Sequence, residues 1–115
     1  MEKRVELSLL MDFYGPLLTE HRRQVLEMYL NEDMGLQEIA DSLGISRQGV
    51  HENLSRAESL LRNMEAKTGC VSRDQACRKA VGTIAEAARL LRQNEDPAVS
   101  ALAEKILSAA QGIEE

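Results

Sequence analysis

A break of three residues, Gly44-Ile45-Ser46, separates two helical patterns and constrains the fold more than any other feature of the sequence. The stretch LQEIADSL before it has apolar residues at helical spacing, and apolar residues after it recur in steps of four and three. Glycine suits the left-handed residue that often ends a helix, and serine is a good N-cap. Two helices joined by so short a turn predict a helix-turn-helix unit, whose second helix ends near Gly69.

The rest of the chain predicts further helices and no strand. Aromatic residues make up only 3% of it, so the core must be built from aliphatic side chains and methionine. A Gly-Pro pair ends the first predicted helix, and Thr19 caps the second. Ser72 and Gln75 form a predicted capping box for the fifth helix, and an Asp-Pro pair opens the sixth. The sequence therefore predicts an all-α protein.

The chain is predicted to divide near the end of the long fourth helix. Residues 1–67 would form the helix-turn-helix domain, and residues 68–115 would add two Ala-rich helices that either complete the core or form a dimer interface. Because a helix-turn-helix unit usually works as a pair, a homodimer is expected. The inner faces of the two added helices are predicted to consist of Cys77, Val81, Ile84, Ala88 and Leu91 in one and Val99, Leu102, Ile106 and Ala110 in the other.

The distribution of charge bears on the partner. The formal net charge is −5, whereas nucleic-acid binders usually carry a cationic excess. Residues 19–43 hold two Lys/Arg against six Asp/Glu, a net of −4, while residues 46–67 hold four against three, a net of +1. These counts argue against tight non-specific binding and leave room for a local contact made by the long helix.

Side chains from the first turns of the long helix are the ones that would reach base edges in a major groove. Arg47 could take guanine or phosphate, and Gln48 could read adenine. Glu52 could accept a hydrogen bond from cytosine, but it repels phosphate. A protein-binding face and a solvated face are the alternatives. The candidate nucleic-acid-binding residues are Arg47, Gln48, His51, Glu52, Ser55 and Arg56.

Other residue types are assigned ordinary roles. Arg22 and Arg23, in the preceding helix, could touch phosphate or form an exposed solvated pair. The two histidines are separated by a whole helix and a turn, so no metal site is predicted. Ser46 is accounted for as a helix cap, and the sequence contains no Gly-rich phosphate loop. Neither an enzymatic activity nor a cofactor is therefore expected.

The termini and the cysteines bear on the cellular compartment. The start, MEKRVELSLL, lacks the uninterrupted apolar run of a signal peptide, and no segment is long enough to span a bilayer. Cys70 and Cys77 lie outside any CxxC pattern, which is typical of free thiols in a reducing cytosol. These features predict a cytoplasmic protein without membrane contact.

The stretch FYGPLLTEHRRQVLEMYLNEDMGLQEIADSLGISRQGVHENLSRAESLL resembles region 4 of bacterial sigma factors, and more closely the small YlxM-like helix-turn-helix family. The resemblance covers residues 5–67, and its most telling parts are FYGPLLT, EIADSLGISRQGV and NLSRAESLL. Relatives tend to have a lysine directly before the arginine of the long helix, whereas this chain has Ser55 directly before Arg56. One cation is therefore missing from the candidate face. The Ala-rich tail lies outside the resemblance.

The resemblance implies an isolated sigma-region-4-like domain with added C-terminal helices and no catalytic residues. Members of the family are commonly encoded beside the GTPase of the signal recognition particle. The resemblance therefore implies a non-catalytic regulatory or accessory role in that targeting pathway, through contacts with nucleic acid (DNA or signal recognition particle RNA) or with its protein components. Two alternatives stay open: a sequence-specific DNA-binding transcriptional regulator, and a protein-interaction adaptor that binds no nucleic acid.

Overall fold

The computed structural model describes residues 2–114. Within that range the chain forms six α-helices and no strand, so the predicted all-α fold is confirmed. A 3-10 turn at Gly15–Leu17 follows the first helix. The helices are α1 (Lys3–Tyr14), α2 (Glu20–Leu30), α3 (Leu36–Leu43), α4 (Arg47–Thr68), α5 (Cys70–Leu91) and α6 (Pro97–Glu114).

Local hydrogen bonds and one glycine set the ends of α2, α3 and α4. The Thr19 hydroxyl accepts from the backbone N–H of Arg22 at 3.3 Å, and the Ser46 hydroxyl accepts from that of Gly49 at 2.9 Å. Gly44 ends α3 in the left-handed conformation, with φ of 68°, which a residue with a Cβ atom adopts only under strain. The predicted caps at Thr19 and Ser46 and the predicted turn between α3 and α4 are confirmed.

The described residues form two compact units, one ending at Val71 and the other beginning at Ser72. The first unit contains α1 to α4 and the first two residues of α5. The second unit contains the remainder of α5 and α6. Each unit has its own buried apolar cluster.

A small apolar core holds α3 across the start of α4. Val25, Ile39 and Val50 are fully buried, and Ala40 is 2% exposed. The alanine at the crossing has almost no side chain, so the two helix backbones can approach closely. Because Val50 lies in the first turn of α4, this core also fixes which side of that turn faces solvent.

A second core joins α1 to the middle of α4. Leu61 and Ala57 are fully buried there, beside Leu10 of α1. Arg62 reinforces the contact at the surface, donating to Glu6 of α1 at 3.1 Å and to Glu58 at 3.3 Å. The hydrogen bond to Glu6 is the main reason that the pKa of Arg62 is raised above its usual value.

Tyr14 links α1 to the junction of α4 and α5. Its hydroxyl donates to the Glu65 carboxylate at 2.6 Å and lies 2.6 Å from the Thr68 hydroxyl. The same carboxylate oxygen accepts from the backbone N–H of Val71 at 3.0 Å, in the first turn of α5. Burial of the phenol and its hydrogen bond to Glu65 raise the pKa of Tyr14 above its ordinary value of 10.0.

The raised pKa of Tyr14 predicts a loss of stability in alkali. Below pH 10 the phenol is neutral in both the folded and the unfolded chain, whereas above pH 10 it ionises first in the unfolded chain. The free energy of unfolding should therefore fall as the pH rises through the folded-state pKa. Tyr14→Phe should flatten this decline in urea melts recorded between pH 8 and pH 12, while Tyr29→Phe, with Tyr14 in place, should retain it. An equal decline in all three proteins would contradict this.

The second unit is a hairpin of α5 and α6. The Ser100 hydroxyl donates to the Arg92 carbonyl at 3.0 Å, and the Arg92 guanidinium donates to Glu104 at 3.1 Å, so both contacts lie near the turn. The residues buried between the helices are mostly alanine, and they are Val81, Ala85, Ala88, Ala103, Leu107 and Ala110.

Two predictions for these helices are wrong. The predicted capping box at Ser72 and Gln75 does not start α5, which begins at Cys70 directly after the left-handed Gly69. The predicted inner faces are confirmed at Val81, Ala88 and Ala110, which are buried, and wrong at most of the other positions. The buried side of each helix is centred on an adjacent row that includes further alanines. The larger or polarisable side chains predicted to face inward but exposed instead are Cys77, Ile84, Leu91, Leu102 and Ile106.

Candidate nucleic-acid interface

The outer face of α4 is the side opposite the buried Val50. We define it by Gln48, Glu52, Ser55 and Ser59, all of which are exposed. Successive members are three or four residues apart, so they form one stripe along the helix. The stripe starts at Gln48, two residues after the Ser46 cap, in the first turn of α4, where backbone N–H groups and the helix dipole favour an anion.

The six candidate residues named from the sequence are exposed. Gln48, Glu52 and Ser55 lie on the outer face of α4, and His51 and Arg56 flank it on opposite sides. Arg47 is exposed in the first turn of the helix. Contact of these residues with nucleic acid stays a prediction.

The charges on this face are partly paired. Arg56 donates to Glu52 at 3.1 Å, one helical turn away, and both side chains are more than half exposed. Such an exposed pair contributes little to stability, but it reduces the positive field that a phosphate would meet. The net +1 of residues 46–67 is therefore not concentrated at the outer face.

Arg22 adds a cation from α2. It lines a shallow depression with Ser55, Arg56, Ser59 and Leu60, and it also lines an adjoining one that reaches Glu52. From the sequence, Arg22 and Arg23 were treated as a pair, but only Arg22 lines these depressions. Arg23 lies 3.8 Å from Glu27 in a helical ion pair.

Arg22 and Arg47 differ from Arg56 in their ion pairing. Among the ion pairs formed within residues 2–114, none includes either of them. Two unpaired cations, one from α2 and one from the start of α4, therefore accompany the paired Arg56. All three belong to the first unit.

The flank of α4 that carries His51 is electrostatically different. A crevice there is lined by His51, Ser55 and residues of α1 that include Lys3 and Arg4. Both α1 cations are engaged: Lys3 lies 3.4 Å from Glu58, and Arg4 lies 3.2 Å from Asp33. Arg4 also donates to the Tyr29 carbonyl at 2.6 Å and lies 4.5 Å from the centre of its ring. Phosphate binding on this side would have to compete with these contacts.

Residues 2–114 contain neither a candidate metal site nor a candidate membrane span. No three His, Cys, Asp or Glu side chains in that range converge in an arrangement suited to a metal ion. None of the helices there combines the length and the apolar character needed to cross a lipid bilayer.

A short α3 crossing the start of a long α4, with the first turns of α4 exposed, defines a helix-turn-helix protein. Residues 1–100 match the family UPF0122, described as "Putative helix-turn-helix protein, YlxM / p13 like". The chain belongs to this family, so the resemblance found in the sequence is confirmed.

Curated relatives carry the same family name. A UPF0122 protein of Thermoanaerobacter sp. (strain X514) is 43% identical over 110 residues, which cover 95% of this chain and 92% of the relative. One from Acetivibrio thermocellus is 51% identical over 71 residues, covering 62% of this chain and 61% of the relative. One from Lacticaseibacillus casei is 37% identical over 106 residues, covering 92% and 93%.

Proposed function

We propose that this protein is a non-catalytic regulatory or accessory factor that contacts nucleic acid through the outer face of α4. The pathway we propose is protein targeting by the signal recognition particle, and this rests on the resemblance to the YlxM-like family. The proposed cellular compartment is the cytoplasm, where that particle acts.

The observation that carries the nucleic-acid proposal is the orientation of the first turns of α4. Fully buried Val50 and Ile39 fix the helix on α3, and the side chains on the opposite side of these turns are exposed. A rigidly held, exposed helix start is what docking into a groove requires, since a mobile helix would lose conformational entropy on binding. The Ser46 hydroxyl caps this helix and so helps to hold its first turn in place.

The electrostatics predict weak and salt-sensitive binding. Arg22 and Arg56 line a depression with Ser55 and Ser59 of the outer face, and Arg47 is exposed in the first turn of α4. Each of the three arginines could neutralise one phosphate. Three phosphate contacts predict that the logarithm of the binding constant falls with the logarithm of salt concentration with a slope of roughly −3. The acidic residues of α2 and α3 further oppose tight binding without sequence preference.

The test is a salt titration of the full chain binding to signal recognition particle RNA and, separately, to duplex DNA. Arg22→Ala, Arg47→Ala and Arg56→Ala should each flatten the slope by about one unit, because each removes one phosphate contact. Arg78→Ala is the matched control. It also removes an exposed arginine that pairs with an acid one turn away, Asp74 at 2.8 Å, but it lies in the second unit. The slope should be unchanged in this control.

The outcomes separate the candidate functions. If neither nucleic acid binds at low salt, the nucleic-acid proposal is wrong and the protein-interaction adaptor is favoured. The Glu52–Arg56 pair on the outer face is the observation that supports this second candidate, since it suits a partner surface of mixed charge. If DNA binds and Gln48→Ala changes the preference among DNA sequences, the result supports a transcriptional regulator.

A further inference from the structure

The hairpin of the second unit exposes a set of large aliphatic side chains. We call these residues the hairpin apolar face. They are 42% to 62% exposed, although side chains of this kind usually form a core. Its members are Ile84 (50% exposed) and Leu91 (46%) of α5, and Leu102 (62%), Ile106 (42%) and Ile113 (61%) of α6.

These five residues lie on one side of the hairpin. Ile84, Leu102 and Ile106 each come directly before a residue that is buried in the hairpin. Successive residues of an α-helix are rotated by about 100°, so each of the three side chains points about 100° away from the contact between α5 and α6, in the same rotational sense. Leu91 and Ile113 follow Ile84 and Ile106 by seven residues, two helical turns further along. Because the two helices are antiparallel, the same rotational offset from their mutual contact brings all five residues to one side.

The size of this face approaches that of one half of an interface. From the exposed fractions, the five side chains present roughly 500 Å² of apolar surface, near the upper end of the largest patches on monomeric proteins. A standard interface buries about 800 Å² from each partner. Three exposed alanines, Ala80, Ala87 and Ala109, lie beside the larger residues at helical spacing and extend the face toward that area.

The pattern of the face suits a second copy of the same hairpin. Both helices repeat their exposed aliphatic residues at a spacing of seven, the repeat of helices that pack side by side with interlocking side chains. Residues 70–91 hold four Lys/Arg against two Asp/Glu, a net of +2, and residues 97–114 hold one against two, a net of −1. Helix α5 of one copy would therefore attract α6 of the other.

We propose that the chain forms a homodimer in which two hairpin apolar faces pack together as a four-helix bundle. The interface is self-complementary, with each copy burying the same five residues. In this dimer the second unit is the part that assembles, and each dimer carries two copies of the α4 outer face. The proposal does not depend on what that outer face binds.

The test is the oligomeric state of the full chain, measured by sedimentation equilibrium over a wide range of concentration. The wild-type chain should be a dimer, and Ile106→Glu should weaken self-association by at least about tenfold, because it places a carboxylate in the apolar contact. Leu90→Glu is the matched control. Leu90 is 68% exposed but points to the side of α5 opposite its contact with α6, so its replacement should leave the dimer intact.

Two results would overturn the proposal. One is a wild-type chain that is monomeric at every concentration, because the hairpin apolar face would then not bind a second copy. A different protein found bound to this face would then be its partner. The other is an equal weakening by Ile106→Glu and Leu90→Glu, which would put the interface elsewhere. Circular dichroism checks that the helices persist in each variant. If Ile106→Glu lowers the helical signal, the same measurement of self-association is made with Leu102→Glu, whose position is more exposed.

Discussion

Leu61→Ala is expected to lower the free energy of unfolding of the first unit by about 3 kcal/mol. Leu61 is fully buried at the centre of α4, where α1 packs against it. The substitution removes the transfer free energy of the side chain and leaves a cavity that packed helices on several sides fill only in part. Since small domains have a total stability of about 5–15 kcal/mol, this one change should remove a large fraction of it.

The chain offers a specific probe for this measurement. Its two tyrosines, Tyr14 and Tyr29, both lie in the first unit, and it contains no tryptophan. Tyrosine fluorescence followed during urea unfolding therefore reports the first unit alone. Leu90→Ala, at a residue that is 68% exposed in the second unit, should change that transition by less than about 0.5 kcal/mol. A loss below about 1 kcal/mol for Leu61→Ala would show that the site collapses around the alanine or is less tightly packed than the full burial of Leu61 indicates.

The helix-turn-helix part of the fold could be predicted because its determinants are local. Gly44 and Ser46 are spaced so that one ends a helix and the other caps the next, and both functions depend on the backbone of neighbouring residues only. The apolar residues of α4 occupy one side of the helix, so the periodicity indicated the buried side without ambiguity. Since the exposed side of α4 is the one opposite its apolar residues, it could be predicted from the same periodicity.

The packing of the second unit could not be predicted in the same way. Alanine and larger aliphatic residues together cover more than one side of α5 and α6, so the periodicity permits two neighbouring faces. The inner faces predicted from the sequence included Ile84, Leu102 and Ile106, which are exposed in the structure. In the structure the alanine face is buried instead, including Ala85 and Ala103, and small residues let the backbones approach closely.

For the candidate site, exposure was predictable and electrostatics were not. Gln48 and Arg47 are exposed, as their position opposite or beside the apolar side of α4 predicted. The approach of Arg22 depends on how α2 packs on α4, which no local pattern encodes. The pairing of Arg56 with Glu52 did have a signal, because an acid four residues before an arginine on a helix commonly forms an ion pair.

Glu52→Lys is expected to raise affinity for nucleic acid by at least about tenfold at low salt and to steepen the salt slope by about one unit. Glu52 is the one acidic residue of the α4 outer face, and its carboxylate holds the Arg56 guanidinium at 3.1 Å. Its replacement removes a repulsion toward phosphate, frees the Arg56 charge and adds one cation that can itself contact a phosphate. Glu52→Gln should give a smaller gain and leave the slope nearly unchanged, since it adds no cation.

The control for Glu52→Lys has to separate the local charge from the net charge. Glu86→Lys makes the same change in net charge, from −5 to −3, at an exposed residue of α5 in the second unit. If the outer face of α4 contacts phosphate, the first substitution should strengthen binding far more than the second, because only the first removes a carboxylate from that face and adds a cation to it. Equal gains would mean that only the overall field matters. Loss of affinity for both RNA and DNA in Glu52→Lys would mean that this carboxylate itself makes a favourable contact with nucleic acid, such as a hydrogen bond accepted from cytosine.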